Sequence, residues 1–186
     1  MSAAVQVPMT LDAFLAWERA QDARWEFDGI APVAMTGGTV AHSLIGTRLV
    51  ELLRERLRGR PCRAFRGDLK IIVSGRVRYP DALVTCAPVA LDSDIIAEPV
   101  VVFEIISPGT QRTDRIAKTR EYGETPSIRR YVLLEQSEAA ATVFERAGTD
   151  WVGRLLTADA TLAMPEIGVD LPLADIYAEL FPAPPA

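Results

Sequence analysis

Cysteine, histidine and long apolar runs are all scarce in this chain of 186 residues. It contains two cysteines, one histidine and no Cys-X-X-Cys pair, so it has too few ligands for a structural zinc site. Any bound metal ion has to be held mainly by oxygen, which favours Mg²⁺ or Mn²⁺ over softer ions. Without a membrane-length apolar run or a signal-like N-terminus, we expect a cytoplasmic protein that does not associate with a membrane.

The overall composition is that of an ordinary globular protein. Hydrophobic residues make up 49% of the chain and charged residues 24%, which is close to the average for folded proteins. A chain of this length also falls within the usual range for one domain. We therefore predict a single domain over residues 1–186, with a sizeable hydrophobic core.

Charge is distributed unevenly along the chain. The net charge of −5 argues against nucleic acid as a partner, because phosphate binding depends on basic residues. Between Arg48 and Arg78, however, ten basic residues face three acidic ones, for a local net charge of +7. This segment is either a solvated helix face followed by polar loops or a surface that contacts phosphates.

The hydrophobic pattern predicts alternating strands and helices. A strand, helix, strand unit over residues 100–134 is typical of an α/β sheet, and its first strand is apolar on both faces. The predicted helices are 10–21, 39–58, 113–122 and 173–180, and the predicted strands are 24–28, 30–35, 62–65, 69–73, 79–85, 100–106 and 130–134, with a closing hairpin over 141–156.

A glutamate interrupts the most apolar predicted strand. Glu104 is the one charged residue between Val100 and Ile106, and burying it ionised without a partner would cost several kcal/mol. An ion pair with an arginine would compensate it. Asp81, at the start of the preceding strand, offers another explanation, because two neighbouring carboxylates repel unless a divalent cation lies between them. Both interpretations remain open on spacing alone.

Lys118 is one of two lysines in a chain that otherwise uses arginine as its cation. A compact ammonium group can hold or polarise an attacking water better than the broad guanidinium of arginine. Asp114 precedes Lys118 by about one helical turn and could orient it through an i, i+4 pair. The alternative is an exposed salt bridge on the helix, which would contribute little.

The order of these residues resembles that of a known family. The motifs are Trp25-Glu26-Phe27-Asp28-Gly29, His42, Tyr79-Pro80-Asp81, Phe103-Glu104-Ile105-Ile106-Ser107-Pro108-Gly109-Thr110, Asp114, Lys118 and Tyr122. Over residues 25–134 they resemble the Uma-two family of endonucleases, within the PD-(D/E)XK restriction-endonuclease-like superfamily. The resemblance implies a restriction-endonuclease-like α/β (α+β) fold with a central mixed β-sheet flanked by helices.

The resemblance also implies particular roles. The implied catalytic residues are Glu26, Asp81, Glu104 and Lys118, and the implied ligands of Mg²⁺ (or Mn²⁺) are the side chains of Asp81 and Glu104 and the backbone carbonyl of Ile105. One position departs from the superfamily pattern. The lysine usually found two residues after the strand glutamate is replaced by Ile106, and in this family the lysine lies on the next helix, as Lys118.

Three further residues are expected to support this site, namely His42, Asp114 and Tyr122. The residues themselves leave simpler roles open. Glu26 could pair with an arginine such as Arg24, and His42 could belong only to the first turn of its helix.

These expectations together predict hydrolysis of DNA phosphodiester bonds. The DNA backbone would follow exposed arginines, namely Arg54, Arg58, Arg63 and Arg66. Because cleavage of a duplex requires two cuts, we expect a symmetric homodimer. One alternative is a catalytically inactive module on the same fold that binds nucleic acid or protein. Another is a hydrolase of small substrates that uses the paired carboxylates as general acid and base.

Overall fold

The computed structural model describes residues 8–35, 37–106, 112–148 and 150–181, with only the backbone of 112–114 described. The helices within these ranges are α1 (Leu11–Glu18), α2 (Val40–Arg56), α3 (Arg112–Gly123) and α4 (Leu173–Ile176). The strands are β1 (Trp25–Phe27), β2 (Pro32–Ala34), β3 (Arg63–Arg66), β4 (Ile71–Val73), β5 (Arg76–Arg78), β6 (Ala82–Thr85), β7 (Pro99–Ile106), β8 (Arg130–Glu135), β9 (Ala141–Ala147), β10 (Asp150–Leu156), β11 (Thr161–Met164) and β12 (Val169–Pro172).

A six-stranded mixed sheet forms the centre of the fold, in the order β10-β9-β8-β7-β6-β3. Strands β7 and β8 are parallel and are connected through α3, whereas the other neighbours pair antiparallel. The expected strand, helix, strand unit is therefore confirmed. The two faces of β7 are both buried, which explains why this strand is apolar at almost every position.

Helices α2 and α3 cover opposite faces of this sheet. Alternate residues of β7, such as Val101 and Phe103, share a core with Leu49 of α2. Val102 belongs to the core on the other face, together with Tyr122 of α3. This mixed sheet flanked by helices confirms the expected fold class.

A second, four-stranded sheet has the order β2-β1-β5-β4. The turn Ser74-Gly75, in which both residues have positive φ angles of 47° and 73°, joins β4 to β5 as a hairpin. The sequence correctly predicts this turn but not the strand that follows it. The predicted strand 79–85 begins too early, because residues 79–81 cross from β5 in one sheet to β6 in the other.

The C-terminal part also departs from the prediction. Strands β11 and β12 form a separate hairpin that the hydrophobic pattern does not indicate. The predicted helix 173–180 is too long, since α4 ends at Ile176. The hydroxyl of the next residue, Tyr177, donates hydrogen bonds to the carbonyls of Glu135 and Ala140, and these contacts attach the end of the chain to the central sheet.

The two cysteines, which the sequence offers no reason to pair, form a disulfide between Cys62 and Cys86. They meet because β3 and β6 are antiparallel, with Arg63 opposite Thr85. The bond lies beyond one end of this strand pair, and Arg66 and Ala82 face each other at the other end. Among the described helices, none is both long and apolar enough to cross a membrane.

Candidate active site

The pairing of β6 with β7 brings the two predicted carboxylates together. Ala82 lies opposite Phe103, so Asp81 and Glu104 occupy the next position along the two strands. Asp81 Oδ2 accepts a hydrogen bond of 2.6 Å from the backbone N–H of Ile105. The charge of Asp81 also raises the pKa of Glu104, as expected for neighbouring carboxylates.

Glu104 is held from α3 by two side chains. Tyr122, which is fully buried, donates its hydroxyl to Glu104 Oε1 at 2.7 Å. Lys118 Nζ lies 3.3 Å from each carboxylate oxygen of Glu104. Burial raises the pKa of Glu104 to about 7, although the positive charge of Lys118 opposes this shift. A carboxyl group whose pKa is near neutral can exchange a proton at working pH.

Lys118 is buried, with 8% of its surface exposed, so it is not part of an exposed helix salt bridge. Its ammonium group lies 3.3 Å from Glu104 Oε1 and 3.3 Å from Glu26 Oε1. The lysine therefore joins the end of β7 to β1 of the second sheet. The side chain of Asp114, which we expected to orient it, lies outside the described residues.

A buried arginine that sequence reasoning missed holds Glu26 in place. Arg78 Nη1 lies 3.0 Å from Glu26 Oε2, and the backbone N–H of Tyr79 donates to Glu26 Oε1. The rest of the Arg78 guanidinium makes two 2.8 Å hydrogen bonds with Glu121 of α3. Glu26 thus pairs with an arginine, as the alternative for this residue had it, but the arginine is Arg78; Arg24 pairs with Asp68. Nothing in the local sequence around Arg78 or Glu121 indicates this contact.

His42 contacts the carboxylate oxygen of Asp81 that does not bind Ile105. Its backbone N–H binds the Thr39 hydroxyl that caps α2, so His42 does lie in the first turn of its helix. Its Nε2 is also 2.9 Å from Asp81 Oδ1. The hydrogen bond to Asp81 is the main cause that raises the pKa of His42. The two roles considered for this residue are therefore compatible.

An open pocket of about 180 Å³ adjoins Asp81 on the α2 side of the sheet. We call it the Asp81 pocket, and the residues that line it are Arg24, His42, Gly46, Arg66, Gly67, Asp68, Asp81 and Ile105. Glu104 and Lys118 are absent from this lining. The site therefore has an accessible side at Asp81 and a closed side at Lys118.

The four arginines expected to contact DNA are all exposed, but they do not share one pocket. Arg66 lines the Asp81 pocket. Arg54 and Arg63 line a second pocket of about 210 Å³, together with Arg60. Arg58 lies just beyond the C-terminal end of α2. The basic segment thus extends from the carboxylates along β3 and the end of α2.

The oxygen donors at this site match those that Mg²⁺ prefers. Among the described residues, no three His, Cys, Asp or Glu side chains are placed to hold an ion. Asp81 and Glu104 supply two carboxylates, and the carbonyl of Ile105 points to the same edge of β7 as its N–H. Mg²⁺ is commonly bound by one or two carboxylates and several waters, so this donor set fits Mg²⁺ or Mn²⁺.

The buried Arg78 predicts a large loss of stability on its removal. An Arg78→Met variant removes the buried cation that Glu121 and Glu26 share, which should cost about 3 to 5 kcal/mol of unfolding free energy. Arg120→Met is the control, because Arg120 is 67% exposed and pairs with Glu124 on the surface; it should cost less than about 1 kcal/mol. Equal losses in urea denaturation would contradict the role assigned to Arg78.

The raised pKa of Glu104 predicts a pH dependence. Between the ordinary pKa of 4.5 and the folded value of about 7, the folded state binds more protons than the unfolded state. The unfolding free energy therefore falls as pH rises through this window, by up to about 3 kcal/mol. Glu104→Gln lacks this titration, so without divalent metal it should gain stability relative to the wild type from about pH 5 to about pH 8. A constant difference in thermal midpoint would refute the shift.

Comparison with known proteins agrees with this fold. A model of the Uma2 family, described as "Putative restriction endonuclease", matches residues 11–174. The uncharacterized protein slr1290 of Synechocystis sp. is 31% identical over 170 residues, which cover 89% of this chain and 90% of the relative. A crystal structure described as "a putative nuclease belonging to DUF820", from Anabaena variabilis, shares the fold with a TM-score of 0.78 and 19% identity, over 94% of this chain and 100% of that chain. The protein therefore belongs to the Uma2 family.

Proposed function

We propose that this protein is a metal-dependent nuclease that hydrolyses phosphodiester bonds in DNA. The observation that carries the proposal is the meeting of Asp81, Glu104 and Lys118 at one end of the central sheet. These residues are far apart in sequence, and their chemistry is that of phosphodiester hydrolysis. The description of the family model as a restriction endonuclease supports the same activity.

Each residue has a distinct role in this proposal. Asp81, Glu104 and the carbonyl of Ile105 hold Mg²⁺ (or Mn²⁺). Bound there, the ion would lower the pKa of a water and neutralise charge on the phosphate. Lys118 holds the attacking water or stabilises the developing negative charge. Glu26 positions Lys118 through their 3.3 Å contact.

The exposed arginines guide DNA towards the carboxylates. The side chains of Arg54, Arg58 and Arg63 are exposed and have no hydrogen-bond or ion-pair partner among the described residues, so their charges face solvent. Arg48, Arg56 and Arg60 instead bind backbone carbonyls near the C-terminal part of the chain. The first three are therefore the better candidates for contacts with phosphates. The homodimer expected from duplex cleavage stays a prediction.

Loss of the proposed ligand should abolish cleavage, and loss of the lysine should slow it strongly. We expect purified protein to cleave single-stranded, duplex or structured DNA with Mn²⁺ or Mg²⁺ and not with a chelator. Asp81→Ala should be inactive, and Lys118→Gln should be slower by roughly 10²- to 10³-fold, as when a donor to the transition state is lost. Gel analysis of labelled DNA measures each rate.

Lys70→Gln is a matched control, since Lys70 is the other lysine and is also buried, in contact with Glu18 and Asp94. It should lose stability while retaining cleavage by the folded fraction. A Lys118→Gln protein with wild-type activity would refute the assigned role. An inactive binding module with a dismantled site would bind no Mn²⁺ in calorimetry, and a small-substrate hydrolase would tolerate the chelator.

The arginine surface predicts a change in salt dependence. Replacing Arg54, Arg58 and Arg63 together by glutamine should weaken DNA binding and reduce the slope of log K against log salt by roughly 0.9 for each lost phosphate contact. Fluorescence anisotropy in a chelator measures binding without cleavage. Arg154→Gln, on the opposite edge strand β10, is the control. An unchanged slope in the triple variant would exclude these arginines from the interface.

A further inference from the structure

Arg66 is fixed in position beside the catalytic carboxylates. It lies on β3 opposite Ala82, one residue from Asp81, and lines the Asp81 pocket. Its Nη1 donates to the Thr47 hydroxyl at 2.5 Å, and its Nη2 donates to the Ser43 hydroxyl at 3.3 Å. Both hydroxyls come from one face of α2, so they orient the guanidinium without neutralising it.

Arg66 differs from the neighbouring basic residues, which pair with carboxylates. Arg24 pairs with Asp68, and His42 pairs with Asp81. In the described part of the chain, no carboxylate lies within ion-pair distance of Arg66. A guanidinium has five N–H donors, and the two hydroxyls use only two of them. The pocket therefore contains an oriented cation with donors to spare.

Gly46 of α2 lines the pocket beside this cation. A methyl group at Gly46 would lie 3.2 Å from Ile105 Cδ1 and 3.8 Å from Arg66 Nη2. Glycine inside a helix costs about 1 kcal/mol relative to alanine, so its presence in the middle of α2 is not explained by helix stability. The absence of a side chain lets Ile105 and Arg66 pack closely against α2, and a methyl group at this position would crowd both of them.

We propose that the Asp81 pocket is the subsite for one phosphodiester group of the nucleic acid substrate, with the Arg66 guanidinium as its ligand. A volume of about 180 Å³ is enough room for a phosphate group. The planar fork of arginine matches two phosphate oxygens. This assignment rests on the proposed nuclease function and adds a specific anchor to it.

Binding of a minimal substrate in a chelator tests the subsite apart from catalysis. The probes are the trinucleotide dTdTdT and its uncharged methylphosphonate analogue, followed by NMR titration. Wild-type protein should bind the charged probe with at least tenfold higher affinity than the neutral one. Arg66→Gln should weaken binding of the charged probe about 10- to 100-fold, as for a lost charge-assisted hydrogen bond. Arg66→Lys should recover part of this loss, and Gly46→Ala should also weaken binding.

Arg154→Gln, on β10, should bind like the wild type, and thermal melts verify that each variant is folded. Equal affinity of wild type and Arg66→Gln, equal affinity for the two probes, or binding of neither probe would overturn the subsite. If the wild type cleaves DNA and Arg66→Gln cleaves it with the same kcat and KM, the subsite proposal is refuted while the proposed nuclease function stands. If Arg66-dependent binding occurs without any metal-dependent cleavage, the proposed function fails and the subsite stands.

Discussion

The buried carboxylate of Glu104 imposes the main electrostatic constraint on this fold. An ionised group at the end of a central strand needs a cation, and α3 supplies Lys118 at 3.3 Å. Lys118 also pairs with Glu26, and Glu26 pairs with Arg78. Arg78 in turn binds Glu121, which lies on the same helix as the lysine. These charges thus form a network of buried ion pairs, and removal of one cation would weaken the compensation of each carboxylate that it contacts.

This arrangement separates the positioning of the site from access to it. The α3 side is closed, and it holds Glu104 and Lys118 through buried contacts. The α2 side is open, and it presents Asp81, His42 and Arg66 to the Asp81 pocket. Asp81, the site carboxylate on the open side, is oriented by the backbone N–H of Ile105 and by His42. Burial and, to a smaller extent, the charges of Asp81 and Glu26 raise the pKa of Glu104 and so disfavour its ionised form, a disadvantage that a bound divalent cation would relieve.

The sequence was informative where one local pattern decided the outcome. An apolar run with one glutamate predicts a central strand, and β7 has this form because both of its faces are covered. Thr10 and Thr39, where the predicted helices begin, cap α1 and α2, since capping depends on neighbouring residues only. The prediction failed at residues 79–81, which were assigned to a strand but connect β5 of the four-stranded sheet to β6 of the central sheet. No local periodicity shows where a chain leaves one sheet for another.

What the sequence determined by itself is the set of reactive groups and the elements that carry them: Asp81 before a strand, Glu104 within one, and Lys118 on the next helix. Tertiary structure alone decided which cations neutralise which carboxylates. Sequence spacing could not show that Arg78, among the many arginines, is the one that pairs with Glu26 and Glu121. The Cys62–Cys86 bond likewise depends on tertiary structure, through the register of β3 and β6. Helical and strand patterns depend on neighbours in sequence, whereas ion pairs and disulfides depend on distances that only the packed sheets establish.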